Sequence, residues 1–290
     1  DSKLVVAGNT DNGTNTDTTL VRYDTSGALD TTFDADGKVV TQAGERFDQF
    51  NAVAVQPDGK IVAVGYAHNH INNDFATARF NVDGTLDTTF GNGGKVITTF
   101  GSSDEEAEAV ALQGDGKIVA AGYASVGGGS VFAIARYNAD GTLDTSFGTG
   151  GRVTAQLDNF GQQINAHAYA VAVQPDGKIV AAGTAFTGGS ADFIVVRYNS
   201  NGSLDASFSG NGWVMTDIDA GNDEAAAMAL QPDGKIVVAG SAFVGPYKDF
   251  ALARFNVDGS LDTSFGVGGE VTTPVGDEDD FADAVAIQGD

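Results

Sequence analysis

Alanine alternates with a larger apolar residue in five short runs along the chain. They read Ala52-Val53-Ala54-Val55, Ala109-Val110-Ala111-Leu112, Ala170-Val171-Ala172-Val173, Ala227-Met228-Ala229-Leu230 and Ala284-Val285-Ala286-Ile287. A period of two marks a β-strand, because successive side chains point to opposite faces. Both faces of these strands are apolar, so the pattern predicts cover on each side. A turn follows in a fixed form: Gln56-Pro57-Asp58-Gly59-Lys60, Gln113-Gly114-Asp115-Gly116-Lys117, Gln174-Pro175-Asp176-Gly177-Lys178 and Gln231-Pro232-Asp233-Gly234-Lys235. Proline presets φ, Asp caps the turn and Gly accepts positive φ.

Each unit carries four strand-like runs, here called a to d. In the second unit strand a is the Ala-Val run, b is Lys60–Gly65, c is Asp74–Phe80 and d is Lys95–Thr98. A second turn, Asn81-Val82-Asp83-Gly84, leads from c through Leu86-Asp87-Thr88-Thr89-Phe90 toward d. No helical period interrupts the pattern. The turn lysines stand at 3, 60, 117, 178 and 235, so the repeat is 57 residues, with one unit four residues longer. Units of this length point to propellers and solenoids. Approximate boundaries are 1–50, 51–107, 108–168, 169–225 and 226–282, with 283–290 completing the first unit.

The two ends distinguish a ring from a row. The C-terminus stops at Gln288-Gly289-Asp290, inside the turn, and the N-terminus resumes at Asp1-Ser2-Lys3 in that turn. The C-terminal run therefore offers strand a to an N-terminal unit that has b, c and d. An open stack would leave edges and need capping repeats. The expectation is an all-β fold: one five-bladed β-propeller over 1–290, built of four-stranded blades and closed by the C-terminal strand. The motif Gln-Pro-Asp-Gly-Lys-Ile-Val, followed by Ala-Arg-Phe/Tyr-Asn-x-Asp-Gly-Ser/Thr-Leu-Asp, resembles the delta-60 repeat family of bacterial propeller-like proteins over the whole chain. The first unit departs with Asp24-Thr25-Ser26-Gly27 and the fourth with Asn201. The resemblance implies a propeller and a bacterial, secreted or cell-surface setting, often within a longer chain. It implies no activity.

Composition narrows the function classes. Forty glycines suit many tight turns, and the absence of cysteine excludes disulfides and thiolate chemistry. No run of eighteen apolar residues predicts a membrane span. The chain begins with Asp1, which reads as a processed or excised segment. A net charge of −24 disfavours nucleic acid and anionic membrane. Ten of the fifteen cations belong to the repeat as the turn lysines and the strand-c arginines, leaving no basic patch. Lys38, Lys95 and Arg152 share a further repeat position before strand d.

Arg22, Arg79, Arg136, Arg197 and Arg254 are each followed eight residues later by Asp30, Asp87, Asp144, Asp205 and Asp262. On strand c the Arg shares a face with apolar residues, and a buried guanidinium needs a carboxylate. The spacing predicts five structural ion pairs. Repeated fivefold, they are poor catalytic candidates.

Other acids cluster in the loops before strand a: Asp104, Glu105, Glu106 with Glu108; Asp217, Asp219, Asp223, Glu224; and Asp277, Glu278, Asp279, Asp280. They read as an acidic rim. It is either plain solvated surface or a set of oxygen ligands for calcium, although no EF-hand spacing is present. Candidate ligand contacts are Trp213, which stands where the first three units have Lys or Arg and the fifth has Glu270, the aromatics Tyr66 and Tyr123 after strand b, and His68 and His70. Surface loop and blade-edge packing are the alternatives for each. His167 lies in the only length change, 159–167. The favoured function is a noncatalytic extracellular module for binding, adhesion or surface structure, with a protein or glycan partner and no cofactor beyond calcium. Two alternatives stay open: a lectin with repeated pockets between blades, and a five-bladed glycoside hydrolase or lyase with paired carboxylates.

Overall fold

The computed structural model describes residues 2–44, 47–159, 162–219 and 221–289. Every element in it is a strand, as the period of two requires. The first sheet holds β1 (Leu4–Asp11), β2 (Thr16–Tyr23) and β3 (Lys38–Thr41). The second holds β4 (Gln49–Val55), β5 (Ile61–His68), β6 (Asn73–Phe80) and β7 (Lys95–Thr98). The third holds β8 (Glu105–Leu112), β9 (Ile118–Val126), β10 (Gly129–Tyr137) and β11 (Arg152–Ala155). A two-residue ladder joins β12 (Asp158–Asn159) to β13 (Gln162–Gln163). The fourth sheet holds β14 (Asn165–Val173), β15 (Ile179–Thr187), β16 (Ser190–Tyr198) and β17 (Trp213–Thr216). The fifth holds β18 (Glu224–Leu230), β19 (Ile236–Val244), β20 (Tyr247–Phe255) and β21 (Glu270–Thr273). Neighbours in the four- and three-stranded sheets follow chain order, so each sheet is an antiparallel meander. Among the described residues no helix is long and apolar enough to cross a membrane.

Two compact units form: residues 1–128 with 133–154, and 129–132 with 155–290. In the first, Leu20, Phe33, Phe50 and Phe80 pack between sheets one and two. Val62, Phe75, Phe90, Ala107 and Tyr137 do so between sheets two and three. In the second, Phe193, Phe208, Val238 and Phe255 join sheets four and five. In the second sheet strands b and c are buried almost throughout, whereas β1 of the first sheet has no fully buried residue. Strand a is more open than its two apolar faces predict, with most of β4 half-buried. Its place explains this, since β4 is the edge of its sheet.

One expectation needs correction. The first sheet has three strands, and Ala284–Ile287 forms no strand. The alternation is present, but a strand exists through its hydrogen-bond ladder, and the pattern alone supplies no partner backbone. The proposed junction at Asp290 and Asp1 lies outside the described residues.

The five Arg–Asp pairs form one recurring module. Arg Nε donates to Asp Oδ2 at 2.7–2.8 Å in each. The turn lysine reaches the same oxygen in four sheets: Lys3, Lys60, Lys178 and Lys235, at 2.8–2.9 Å. Lys117 pairs instead with Asp115, at 2.6 Å. The other carboxylate oxygen accepts the N–H and hydroxyl of Thr or Ser two residues on, as at Asp87 and Thr89. The guanidinium stacks on the Phe three residues beyond the Asp, 4.4–4.6 Å from the ring centre. Arg22, Arg79 and Arg197 also donate to the carbonyls of Val82, Ala139 and Val257, each in the second turn of the next sheet. The modules of Arg22, Arg79 and Arg197 thus tie the a–b turn, strand c, the approach to strand d and a neighbouring sheet.

Desolvation alone would raise the Asp87 pKa, but bonds from Lys60, Thr89 and Arg79 outweigh it and hold the carboxyl well below its usual range. Asp205 is held low in the same way. A depressed pKa gives stability above about pH 4, lost as pH falls through the folded value. Thermal melts should therefore show a falling Tm below about pH 4. Asp87→Ala, which strands a buried guanidinium, should cost roughly 3–5 kcal/mol at neutral pH. An unchanged Tm would contradict the structural role.

Candidate functional site

Strand a of sheets two and three carries a polar stripe that the repeat does not demand. A β-bulge interrupts β4 between Phe50 and Ala52, and β8 between Ala107 and Ala109. Asn51 and Glu108 are the extra residues, and such bulges re-aim side chains. Each bulge faces a glycine of strand b. A Cβ on Gly122 would sit 1.9 Å from the Glu106 carbonyl oxygen, so only Gly permits the close approach.

Glu106 pairs across the ladder with Tyr123, and Gln49 with Tyr66, so each couple shares a face. The Tyr123 hydroxyl donates to Glu106. Glu106 also accepts from Asn73 Nδ2 at 2.8 Å. Gln49 Nε2 donates to Asn51 Oδ1 at 2.7 Å, and Asn51 Nδ2 to the Ala107 carbonyl at 3.0 Å. β8 packs on β4 and β5, which brings the stripes together. Burial, then the Glu106 charge, pushes the Glu108 carboxyl up to about 7. Burial raises the Tyr66 and Tyr123 hydroxyls, and Glu106 and Glu108 add to it. The result is two neighbouring carboxyl groups, one of them raised by burial, beside two tyrosines. At the matching ladder positions the fourth sheet has Thr184 and the fifth Ser241. The tyrosines therefore break the repeat.

The acids expected to form a rim have other tasks. Asp104, Asn222 and Asp279 each accept a backbone N–H from 31 residues earlier, from Asn73, Ala191 and Lys248, at 2.9–3.0 Å. The next residue caps the loop before strand a. Glu105 accepts from Phe100, Asp223 from Ile218, Asp219 and Phe243, and Asp280 from Val275 and Gly276. Asp48, which the sequence reading missed, does the same with Ala43 and Gly44. A signal was available: Asp48, Glu105, Asp223 and Asp280 share one repeat position. Glu224 pairs with Lys248 at 2.9 Å. Asp277 and Glu278 are exposed.

Asp192, Asp217 and Asp223 bring carboxylate oxygens within 4.8 Å of one another, the one such grouping of three among the described residues. Oxygen donors so placed are those a hard cation takes, and of the sequence's calcium candidates Asp223 is among them. Two of the three are buried. Burial pushes Asp223 up to about 6, against its backbone donors and with Asp217 adding to it, and Asp192 is raised for the same first cause. The equivalent pair one repeat earlier is Val131 and Ala166: where one acid is lost, so is the other.

His68 is held by its own surroundings, with Nδ1 3.0 Å from Asn73 Oδ1 and its N–H on Asp48. His70 is exposed at the β5–β6 turn with φ of 74°. No grouping of three ligands includes them among the described residues. Trp213 lies half-buried in β17 opposite Val196. Lys95 and Arg152, at its repeat position, donate to the carbonyls of Gln42 and Thr99. An indole cannot reproduce that reach. Of the length change, Phe160 and Gly161 lie outside the described residues. His167 beyond them meets Tyr169 and Phe186 edge-on, with ring centres 6.1 and 5.6 Å away, and burial lowers its pKa.

A protein-family model described as a domain of unknown function (DUF5122) beta-propeller matches residues 1–33, 56–90, 113–147, 174–208 and 231–265, more than half of the chain. That is a β-propeller repeat family, as the resemblance implied. No curated protein matches. Similar solved structures include a polysaccharide lyase, the PL25 ulvan lyase bound to -[GlcA(1-4)Rha3S]-, with 14% identity and a TM-score of 0.49 over 92% of this chain and 62% of that one. Drosophila Semaphorin 1b, extracellular domains 1-2, aligns at 10% identity and 0.44 over 88% and 53%. An endo-arabinase from Bacteroides thetaiotaomicron aligns at 10% and 0.39 over 96% and 92%. The chain spans less than two thirds of the first two. These likenesses carry no argument about activity.

Burial of Asp223, with the Asp217 charge adding to it, has a signed consequence. A raised folded pKa gives stability that is full below about pH 4 and lost as pH rises through about 6. Asp217→Asn relieves the repulsion, so it should raise Tm at pH 8 and change it little at pH 4. Melts of both proteins at the two pH values check this, and an equal shift at each would contradict it.

Proposed function

The chain belongs to the DUF5122 β-propeller family, and we propose that this member is a noncatalytic extracellular binding module that holds a neutral saccharide against Tyr66, Tyr123, Glu106 and Glu108. The observation that carries this reading is the pair of tyrosines. They stand beside hydrogen-bonding carboxyl and amide groups where sheets four and five have Thr184 and Ser241. Aromatic faces take the C–H side of a sugar while polar neighbours take its hydroxyls, the usual division of labour in a small-ligand site. A net charge of −24 repels anionic polymers, which leaves neutral glycans as the fitting class. On a glycan array, neutral oligosaccharides should bind. Tyr123→Ala should weaken them about tenfold or more while Tm is kept. A flat array would overturn the reading.

A second reading rests on Glu108. A carboxyl pushed up to about 7 with a second carboxyl, Glu106, beside it is the kind of pair that glycoside cleavage uses. If the module cleaves its ligand, reducing ends should appear with time and the rate should fall as pH rises above about 7. Glu108→Gln should abolish release and leave binding in place. Release that survives Glu108→Gln would exclude this pair.

A further inference from the structure

His68, Asn73, Glu106 and Tyr123 form one hydrogen-bond chain that ends on the tyrosine face. His68 and Asn73 are ladder partners at the end of β5 and the start of β6. His68 Nδ1 lies 3.0 Å from Asn73 Oδ1, and Asn73 Nδ2 donates to Glu106 Oε1 at 2.8 Å. Glu106 also accepts the Tyr123 hydroxyl. The chain thus runs from strands b and c of sheet two to strands a and b of sheet three.

Its polarity follows from the groups themselves. The Glu106 oxygen takes the N–H end of the amide, which leaves the amide oxygen toward the imidazole. That oxygen needs a donor, so Nδ1 carries the hydrogen. With Nδ1 bare, the amide would turn its N–H to the ring, and its oxygen would then face the Glu106 oxygen. The tautomer of one ring decides which end of Asn73 meets Glu106. The backbones are fixed independently. The His68 N–H donates to Asp48 Oδ1 at 3.1 Å and the Asn73 N–H to Asp104 Oδ1 at 3.0 Å. Only the side chains carry the relay.

The repeat treats these positions as a set. The His68–Asn73 couple is Asp11–Thr16 in sheet one, Phe186–Ala191 in sheet four and Phe243–Lys248 in sheet five. Glu106 recurs as Glu224, but Ser241 then stands opposite it and the carboxylate pairs with Lys248 Nζ at 2.9 Å. Without the His–Asn couple, a glutamate at this position turns to another partner. Phe186 and Phe243 show that the fold accepts a plain ring where His68 stands, so the ring nitrogen answers a different need.

We propose that His68 is a positioning residue of the tyrosine face: its Nδ1–H holds the Asn73 amide, and the amide holds the Glu106 carboxyl beside Tyr123 to receive a ligand hydroxyl. The ligand rests on the saccharide reading; the relay is a property of the free protein.

Two variants of the full chain separate a donor from a plain ring. His68→Phe keeps a ring beside Phe47, whose centre is 6.3 Å from that of His68, and removes the donor. His68→Asn removes the ring and sets an N–H as far along the side chain as Nδ1. Long-range proton–nitrogen NMR at about pH 8, where an ordinary imidazole is neutral, should show His68 as the Nδ1–H tautomer. The Asn73 side-chain amide should exchange its hydrogens roughly tenfold faster in His68→Phe and near the native rate in His68→Asn. Calorimetry with cellotetraose and chitotetraose reads the consequence. Affinity should fall about tenfold in His68→Phe, with Tm kept, and return to within about threefold of native in His68→Asn. An Nε2–H tautomer, or an Asn73 amide indifferent to His68→Phe, would overturn the relay. Affinity kept by His68→Phe and lost by His68→Asn would reduce His68 to packing and overturn its positioning role. If neither sugar binds the native chain, the saccharide reading falls, and the tautomer and amide measurements still decide the relay.

Discussion

A buried guanidinium must be answered on every side, and in this protein one Asp does most of the answering. The strand-c Arg sits inside the sheet stack with 4–7% of its side chain exposed in the first four repeats. Its carboxylate partner is oriented by the Thr or Ser hydroxyl and backbone two residues on, and its ring partner is the following Phe. Removing any of these leaves a charge or a donor without a partner in a region that excludes water. The demand reaches past one sheet, because the guanidinium also holds a carbonyl of the next turn. In the fifth repeat Arg254 is more exposed, at 19%, although its Asp262 bond is as short as the others. Packing of Phe and Val between sheets gives most of the burial; the Arg–Asp module fixes the register in which that burial occurs.

This division explains where function can reside. Positions that serve the module, the turns and the interlocking strands are committed in every copy. Chemistry is left to places where the copies differ, and the clearest is the edge strand. There a bulge at Glu108, opposite the glycine at 122, sets a second carboxyl beside the Glu106–Tyr123 couple, and both carboxyls act on Tyr66 of the neighbouring sheet. The bulge itself repeats, while the side chains placed on it do not. The scaffold thus offers the same ledge in four sheets, and the sequence furnishes it differently in each.

The sheets were legible because each rests on short-range information. The period of two, the Pro-Asp-Gly turns and the 57-residue spacing fix strand order, and the eight-residue Arg–Asp offset names partners within one sheet. What was not legible depends on distance across sheets. Asp104 and Asp279 look like a solvent-facing acidic run, but each caps a backbone 31 residues away. Glu108 looks like another rim acid, but its bulge and burial set it apart. Ala284–Ile287 shows the reverse error: a correct local pattern does not make a strand without a ladder.

The central claim is that Arg and Asp act as one unit on which the repeat depends. A double-mutant cycle on Arg79→Met and Asp87→Asn, read by denaturant unfolding, tests it most directly. If the pair is a unit, each single change already forfeits the shared interaction, and the double variant should be more stable than additivity predicts by about 2 kcal/mol or more. Losses that simply add would contradict the account.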